Sequence, residues 1–281
     1  MQKLWPSPAK LNLFLHVTGR REDGYHELQT VFQILDYGDE LEFSHIADDQ
    51  IHLRCDGVEI ETEHNLVYKA AQLLKKISGS RQGIQIALKK VLPMGGGLGG
   101  GSSNAATTLV ALNEIWGAGF SLQQIAEIGL QLGADIPVFV LGRSAWGEGV
   151  GEILRPLELS PAWYLVIHPG CHVDTAKVFS SPDLTRNTSP ITINDFQNGN
   201  CHNDCEPVVF KAYPEVARAH RWLGQWTTAR MTGTGASVFG IFTSEAQAKD
   251  VLGNIPDTWN GFLSQGVNIS PLLDRVTNQL Y

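Results

Sequence analysis

Pro93-Met-Gly-Gly-Gly-Leu-Gly-Gly-Gly-Ser-Ser-Asn104 holds six glycines in the seven positions 95–101. Before it, Ile84, Ile86 and Leu88 alternate with Gln85, Ala87 and Lys89, the period of a strand. After it, Ala105, Leu109, Leu112 and Trp116 recur three or four apart, as on one helix face. The glycines therefore join a strand to a helix N-terminus, where amide N–H groups lack partners and the helix dipole is positive. Without Cβ atoms such a loop can close around a tetrahedral anion, and the chemistry is that of phosphate binding.

The details exclude two familiar phosphate loops. A P-loop needs Lys-Ser/Thr after its last glycine, and here Ser102 and Ser103 follow Gly101. Gly95-x-Gly97-x-x-Gly100 satisfies the dinucleotide fingerprint in letters, but no second strand ending in an acid follows. Instead Ser121-Leu-Gln-Gln124 is a capping box opening another helix. Methionine, leucine and the flanking elements also speak against a flexible linker. A triphosphate loop of a third type is the reading that remains.

Outward from the loop, alternation predicts strands over 9–17, 28–35, 39–46, 51–54 and 84–92. Helices are expected over 65–77, capped by Asn65, and over 103–116 and 122–132. In the first strand Leu11, Leu13, Leu15 and Val17 take one face, and Lys10, Asn12, Phe14 and His16 the other. Asp23-Gly24 marks a turn beside Tyr25 and His26. Gly133-Ala-Asp135-Ile-Pro137 reads as an acid closing a helix ahead of an apolar, strand-like run. A new strand begins at Trp163, and the domain boundary is placed at 154/155. Residues 182–200 have the polar composition of a surface segment. Pro214 opens a helix, and Thr232-Gly-Thr-Gly235 precedes the apolar strand 238–242. Ser244-x-x-Gln247 caps a last helix.

The chain has 281 residues, enough for two domains, with 43% hydrophobic and 18% charged residues. Net charge is −8 with no long basic run, so neither a nucleic-acid nor an anionic-membrane partner is expected. No signal core opens the chain, and its apolar stretches are too short to span a bilayer. A cytoplasmic protein is expected. The four cysteines, Cys55, Cys171, Cys201 and Cys205, are too few for a disulfide scaffold. Cys201-His202-x-x-Cys205 matches no paired zinc module, so no metal site is assigned to it.

Singly, Lys10 is an ordinary strand lysine and Asp135 a turn residue. Beside a phosphate loop they are residue types that a kinase needs: a cation against developing charge and a carboxylate to orient or deprotonate an acceptor hydroxyl. Here the chain resembles a known family. Pro93 to Ser103 is similar to the phosphate loop of the galactokinase, homoserine kinase, mevalonate kinase and phosphomevalonate kinase superfamily. Pro8-Ala-Lys10-Leu-Asn12-Leu resembles its first motif, and Thr232-Gly-Thr-Gly-Ala-Ser237 its third. Gly24-Tyr-His-Glu27, Gly133-Ala-Asp-Ile-Pro-Val138 and Asn203-Asp-Cys-Glu206 resemble a branch that acts on a cytidine-diphospho sugar alcohol. The likeness covers essentially the whole chain.

The resemblance implies an α+β small-molecule kinase with a ribosomal-protein-S5-like N-terminal domain (1–154) and a ferredoxin-like C-terminal domain (155–281). The active site would lie in the cleft. It implies ATP as phosphoryl donor, with Mg2+, and transfer to the tertiary 2-hydroxyl of a methylerythritol unit, a step toward isoprenoid precursors without mevalonate. By position, Asp135 is the implied base and Lys10 its cationic partner. Pro93, Met94, Gly95, Gly96, Gly97, Leu98, Gly99, Gly100, Gly101, Ser102 and Ser103 would hold the triphosphate, with Asn65 near the adenine. Tyr25 and Phe179 would sandwich the cytosine and His26 bond its edge. Asn12, Thr175 and Phe32 complete the implied substrate contacts. Oligomeric state stays open.

Overall fold

The computed structural model describes residues 4–56 and 62–277. The chain opens with a long hairpin, β1 (Trp5–Arg20) and β2 (His26–Ile46), followed by β3 (Ile51–Asp56), α1 (Leu66–Ser78) and β4 (Gly83–Lys89). Then come α2 (Gly100–Ile115), α3 (Leu122–Leu130), α4 (Ile136–Leu141), β5 (Ala145–Gly149) and β6 (Ile153–Pro156). The second half runs β7 (Trp163–His168), α5 (Thr175–Ser180), α6 (Ile193–Gln197), α7 (Glu206–Ala212) and α8 (Pro214–Leu223). It closes with β8 (Ala229–Met231), β9 (Val238–Phe242), α9 (Glu245–Leu252), β10 (Asn260–Val267) and α10 (Pro271–Thr277).

Most strand expectations become observed elements, but the two expected between 28 and 46 are one strand. β2 pairs antiparallel with β1, β4, β5 and, at Ile34 and Leu35, with β10. It runs on through the expected gap at 36–38, where Gly38 lies against β1: a Cβ there would fall 2.1 Å from the Ser7 carbonyl oxygen. β10 is the splice between halves, since Asn260–Gln265 pair with β7 and the next two residues with β2. The result is a ten-stranded sheet across both halves.

Three cores follow from the alternation. In β4, Ile84, Ile86 and Leu88 bury against α1 and α2, with Ile125 of α3 and Phe139 of α4. In β7, Leu165 and Ile167 pack with Val216 and Leu223 of α8 and Val251 of α9, while Tyr164 and Val166 face Leu11, Phe14, Val31 and Trp146. Burial of these side chains, at about 1.5–3 kcal/mol each, is the main stabilising term. α2 departs from a one-faced helix: every residue from Ser103 to Leu112 is buried. α10 returns to the first half, with Leu272 in its core, and the 154/155 division falls inside β6, whose Arg155 and Pro156 still pair with β5.

Three local expectations are corrected. The run after Asp135 is a helix, α4, not a strand; Pro137 sits in its first turn and Gly142 closes it at φ +63°. A short apolar run does not distinguish a buried strand from a buried helix, and proline favours the first turn of the latter. The strict alternation of β1 breaks at bulges, one of them between Asn12 and Leu15. Leu15 thereby joins Lys10 and Asn12 in lining one cavity. Ser244 precedes α9 but makes no side-chain cap.

Candidate active site

The glycine loop leaves β4 at Lys89 and enters α2 at Gly100. Gly95, Gly97 and Gly99 have φ of +65°, +73° and +71°, alternating with residues of negative φ. Such alternation turns successive amides toward one side and makes an anion-binding concavity. The carbonyls turn the other way. Gly95 and Gly96 accept from the Ala236 and Ser237 amides at 3.1 Å, Leu98 from Lys10 N at 3.0 Å, and Gly97 from the Thr232 hydroxyl at 3.3 Å. Among the described residues the amides of Gly97 to Ser102 meet no protein acceptor.

The glycines are required by the protein itself as well as by any anion. A Cβ on Gly97 would lie 2.3 Å from the Thr232 carbonyl oxygen, and one on Gly99 2.7 Å from Phe139 and 3.1 Å from Lys10 Cε. The Thr232–Ser237 element is thus the back wall of the loop. It is held by the 203–206 segment: Asn203 donates to the Met231 and Gly233 carbonyls, and Glu206 accepts from Met231 N.

A buried network that sequence reasoning missed anchors the loop's entrance. Asp39 accepts from the Val91 and Leu92 amides at 2.8 and 2.9 Å and pairs with Lys90 Nζ at 2.5 Å. Asn104 bridges Asp39 to Ser7, whose hydroxyl donates to Ser103. No local signal links Asp39 to a loop fifty residues on. A paired and multiply hydrogen-bonded carboxylate is the form in which a buried charge is tolerated.

The expected triphosphate residues divide accordingly. Gly97, Gly99 and Ser102 line the cavity. Leu98 is core, Met94 is exposed, and the Ser103 hydroxyl is engaged by Ser7. Pro93, Gly95, Gly96, Gly100 and Gly101 shape the loop without lining that cavity. Asn65 is 6% exposed, and its side chain caps α1 through Val67 N at 2.9 Å. It sits one residue before Leu66, which lies against Gly101.

Beneath Gly99 lies Lys10, 3% exposed. Its Nζ donates to Asn12 Oδ1 at 2.5 Å, lies 3.3 Å from Asp135 Oδ2, and faces the Phe32 ring at 5.6 Å from the centroid. Asn12 is fixed in turn by Thr30 and Thr232. Asp135 stands at the N-cap position of α4 but makes no capping hydrogen bond, so its carboxylate is directed to Lys10 and the cavity. The Lys10 ammonium thus sets a positive charge directly beside that carboxylate.

The cavity has a volume of about 720 Å³ and runs from Gly97, Lys10 and Asp135 to Tyr25, His26 and Phe179. Asn12, Phe32 and Thr175 line it, and so do Arg20, Asp23 and Thr234, to which the sequence reading gave no ligand contact. At the far end Asp23 Oδ1 accepts from Tyr25 N, forming the turn that presents Tyr25, 65% exposed. The ring stacked on Phe179 is that of His26, with centroids 5.1 Å apart and planes 26° apart. Burial first, then the Arg186 and Arg20 charges, hold His26 below its ordinary pKa. Thr175 and Thr234, both from the second half and both lining the cavity, share a hydrogen bond of 2.8 Å.

The cysteines are apart from this site and unbridged; Cys201 accepts from Arg230, and burial pushes the Cys205 thiol up to about 12. No helix among the described residues is long and apolar enough to cross a membrane.

Residues 65–143 match the GHMP kinases N terminal domain and residues 183–261 the GHMP kinases C terminal domain. A Nitrosococcus oceani protein named 4-diphosphocytidyl-2-C-methyl-D-erythritol kinase is 54% identical over 271 residues, 96% of this chain and 97% of its own. One of the same name from Alkalilimnicola ehrlichii is 53% identical over 275 residues, 98% and 94% of the two chains. A crystal structure of 4-(cytidine 5'-diphospho)-2C-methyl-D-erythritol kinase superposes with a TM-score of 0.80 at 32% identity, covering 95% of this chain and all (100%) of the other. The Methanococcus jannaschii mevalonate kinase shares the fold, with a TM-score of 0.69 at 15% identity over 95% and 99% of the chains.

Proposed function

The chain belongs to the GHMP kinase family and, within it, to the 4-diphosphocytidyl-2-C-methyl-D-erythritol kinases, and from this we propose how its cleft performs the reaction. It is a small-molecule kinase that uses ATP to phosphorylate the 2-hydroxyl of 4-diphosphocytidyl-2-C-methyl-D-erythritol in the non-mevalonate isoprenoid pathway. Its expected compartment is the cytoplasm. In our reading the first unit, residues 1–154, holds ATP, and the second, 155–281, completes the acceptor site, with β10 and α10 returning to the first.

The observation that carries the residue assignment is the Lys10–Asp135 pair, 3.3 Å apart, at the end of the cavity where the loop's amides are free. Free amides of the loop and the first turn of α2 bind phosphate oxygens. The acceptor's 2-hydroxyl lies against Asp135, which orients it and takes its proton late in the transfer. The O–H bond of the acceptor and the bond from the γ-phosphorus to the bridging oxygen break, a new P–O bond forms, and ADP leaves. Lys10 pairs with Asp135 and offsets charge on the moving phosphoryl group. Asn12 keeps Lys10 in place. Tyr25, Phe179 and His26 bind the cytosine, with Thr175 and Phe32 as further contacts.

Magnesium fits as a companion of the nucleotide. Among the described residues no cluster of three His, Cys, Asp or Glu side chains forms a protein cage. Asp135 and Ser102 are the cavity-lining oxygens that would help hold the cation beside the nucleotide. When bound it neutralises charge on the phosphates.

The test is ADP release by the purified protein with ATP and the cytidyl acceptor, compared with mevalonate and homoserine. Turnover confined to the cytidyl acceptor is expected. Turnover of mevalonate or homoserine instead would refute the reading.

A further inference from the structure

We propose that Arg186 is a positioning residue that fixes the proton of His26 on Nδ1, so that His26 is a donor toward the cavity and selects cytosine over uracil. The inference rests on the pyrimidine site proposed above. Arg186 lies outside the cavity lining and in none of the motifs read from the sequence. Its Nε donates to His26 Nε2 at 3.0 Å. A guanidinium is a donor only and stays charged at any physiological pH, so Nε2 must be the acceptor. A neutral imidazole has one donor and one acceptor, and the donor is then Nδ1. Nδ1 has no partner among the described residues, and His26 lines the cavity.

The guanidinium cannot swing away cheaply. Nη1 donates to the Leu184 carbonyl at 3.0 Å, and Nη2 to those of Phe179 and Ser181 at 2.8 and 2.7 Å. One side chain therefore sets the proton on His26 and ties down the backbone of Phe179. The ring planes of these two residues differ by 26°. A base hydrogen-bonded edge-on in the plane of His26 accordingly lies nearly parallel to the Phe179 ring, the arrangement stacking requires. Cytosine presents N3 as an acceptor and pairs with the Nδ1 donor. Uracil carries a hydrogen on N3 and opposes donor to donor. Arg186 selects the base without touching it.

The test uses the full chain with 15N-labelled histidine. Nitrogen shifts of His26 identify its tautomer without substrate, and kcat/KM is then measured for cytidine- and uridine-linked acceptors. The wild-type protein should carry the proton on Nδ1. Arg186→Met, which removes every donor, should give a mixed tautomer and lower the cytidine-to-uridine ratio about tenfold, the loss expected of one mispaired buried hydrogen bond. The KM for ATP should stay unchanged. Arg186→Lys, which can still donate to Nε2, should restore most of the ratio. A wild-type proton on Nε2, or a ratio unchanged in Arg186→Met, overturns the proposal, as does a parallel rise in the KM for ATP. Should Arg186→Met fail to fold, the wild-type spectrum and Arg186→Lys decide. Absence of turnover with the cytidyl acceptor would sink the proposed function instead, and the tautomer would still test Arg186.

Discussion

Replacing Asp135 by asparagine keeps the shape of the side chain and removes its charge, which isolates the role of the carboxylate. Lys10 Nζ lies 3.3 Å from Asp135 Oδ2, with the lysine side chain 4% and the aspartate side chain 34% exposed. At this distance the Coulomb attraction is about 1 kcal/mol in bulk water and about 5 kcal/mol at an effective dielectric constant of 20. Partial exposure of Asp135 puts the pair between these limits. Asparagine can still accept a hydrogen bond from Lys10, so we expect a loss of stability of about 1–2 kcal/mol, a shift of a few degrees in Tm. The catalytic loss is larger, because a carboxylate that orients and deprotonates is worth about 10²–10⁴ in rate. Asp135→Asn should lower kcat at least about 10²-fold with modest changes in either KM. Lys10→Ala should cost a similar factor, and the double variant less than the product of the two, since the pair acts as a unit. The assay is steady-state kinetics on folded variants, with Tm alongside. A residue that only turned the chain before Pro137 would be served almost as well by asparagine. A kcat for Asp135→Asn within a few-fold of wild type would therefore refute the mechanism.

Gly97→Val and Gly99→Val should lower Tm and raise the KM for ATP, because each Cβ meets protein below 3 Å, whereas Gly101→Ala, with only Leu66 at 3.5 Å, should leave stability within about 1 kcal/mol of wild type, a change in Tm of at most a few degrees. Unchanged ATP affinity in a folded Gly97→Val would remove the loop from the nucleotide site. Phe179→Ala and Tyr25→Ala should each weaken binding of the cytidyl acceptor by about 1–3 kcal/mol in calorimetric titration and leave ATP binding nearly unaltered; equal losses for both ligands would indicate a packing defect. Burial holds His16 and His168 below the ordinary value of 6.5, so the unfolded chain binds these protons first as pH falls. Their contribution is fully present above about 6.5 and is lost as pH falls through the lower folded values. Tm should thus fall between pH 7 and pH 5, less steeply in His168→Gln, and equal slopes would remove His168 from the effect.

The sequence by itself determined what is written in consecutive residues. The strand–glycine–helix succession, the Asn65 cap and the Ser121 capping box are local, because each depends on φ/ψ preferences and on side chains within a few positions of one another. Lys10, Asp135, Tyr25 and His26 were legible as candidates through motifs, and Phe179 only by its position under the family resemblance. The tertiary structure alone decided which groups meet. The β1 bulge that brings Leu15 beside Lys10 reflects pairing with β2, and the helical state of 136–141 reflects burial against α2 and α3. Asp39 reaches across the first half to hold the entrance of the loop, and the Thr232–Ser237 element folds behind it from the second half. Arg186 meets His26 across 160 residues. Such contacts depend on the packing of distant elements, where the free energy of burial and of satisfying buried polar groups outweighs local preference, and nothing in the neighbouring sequence encodes the partner.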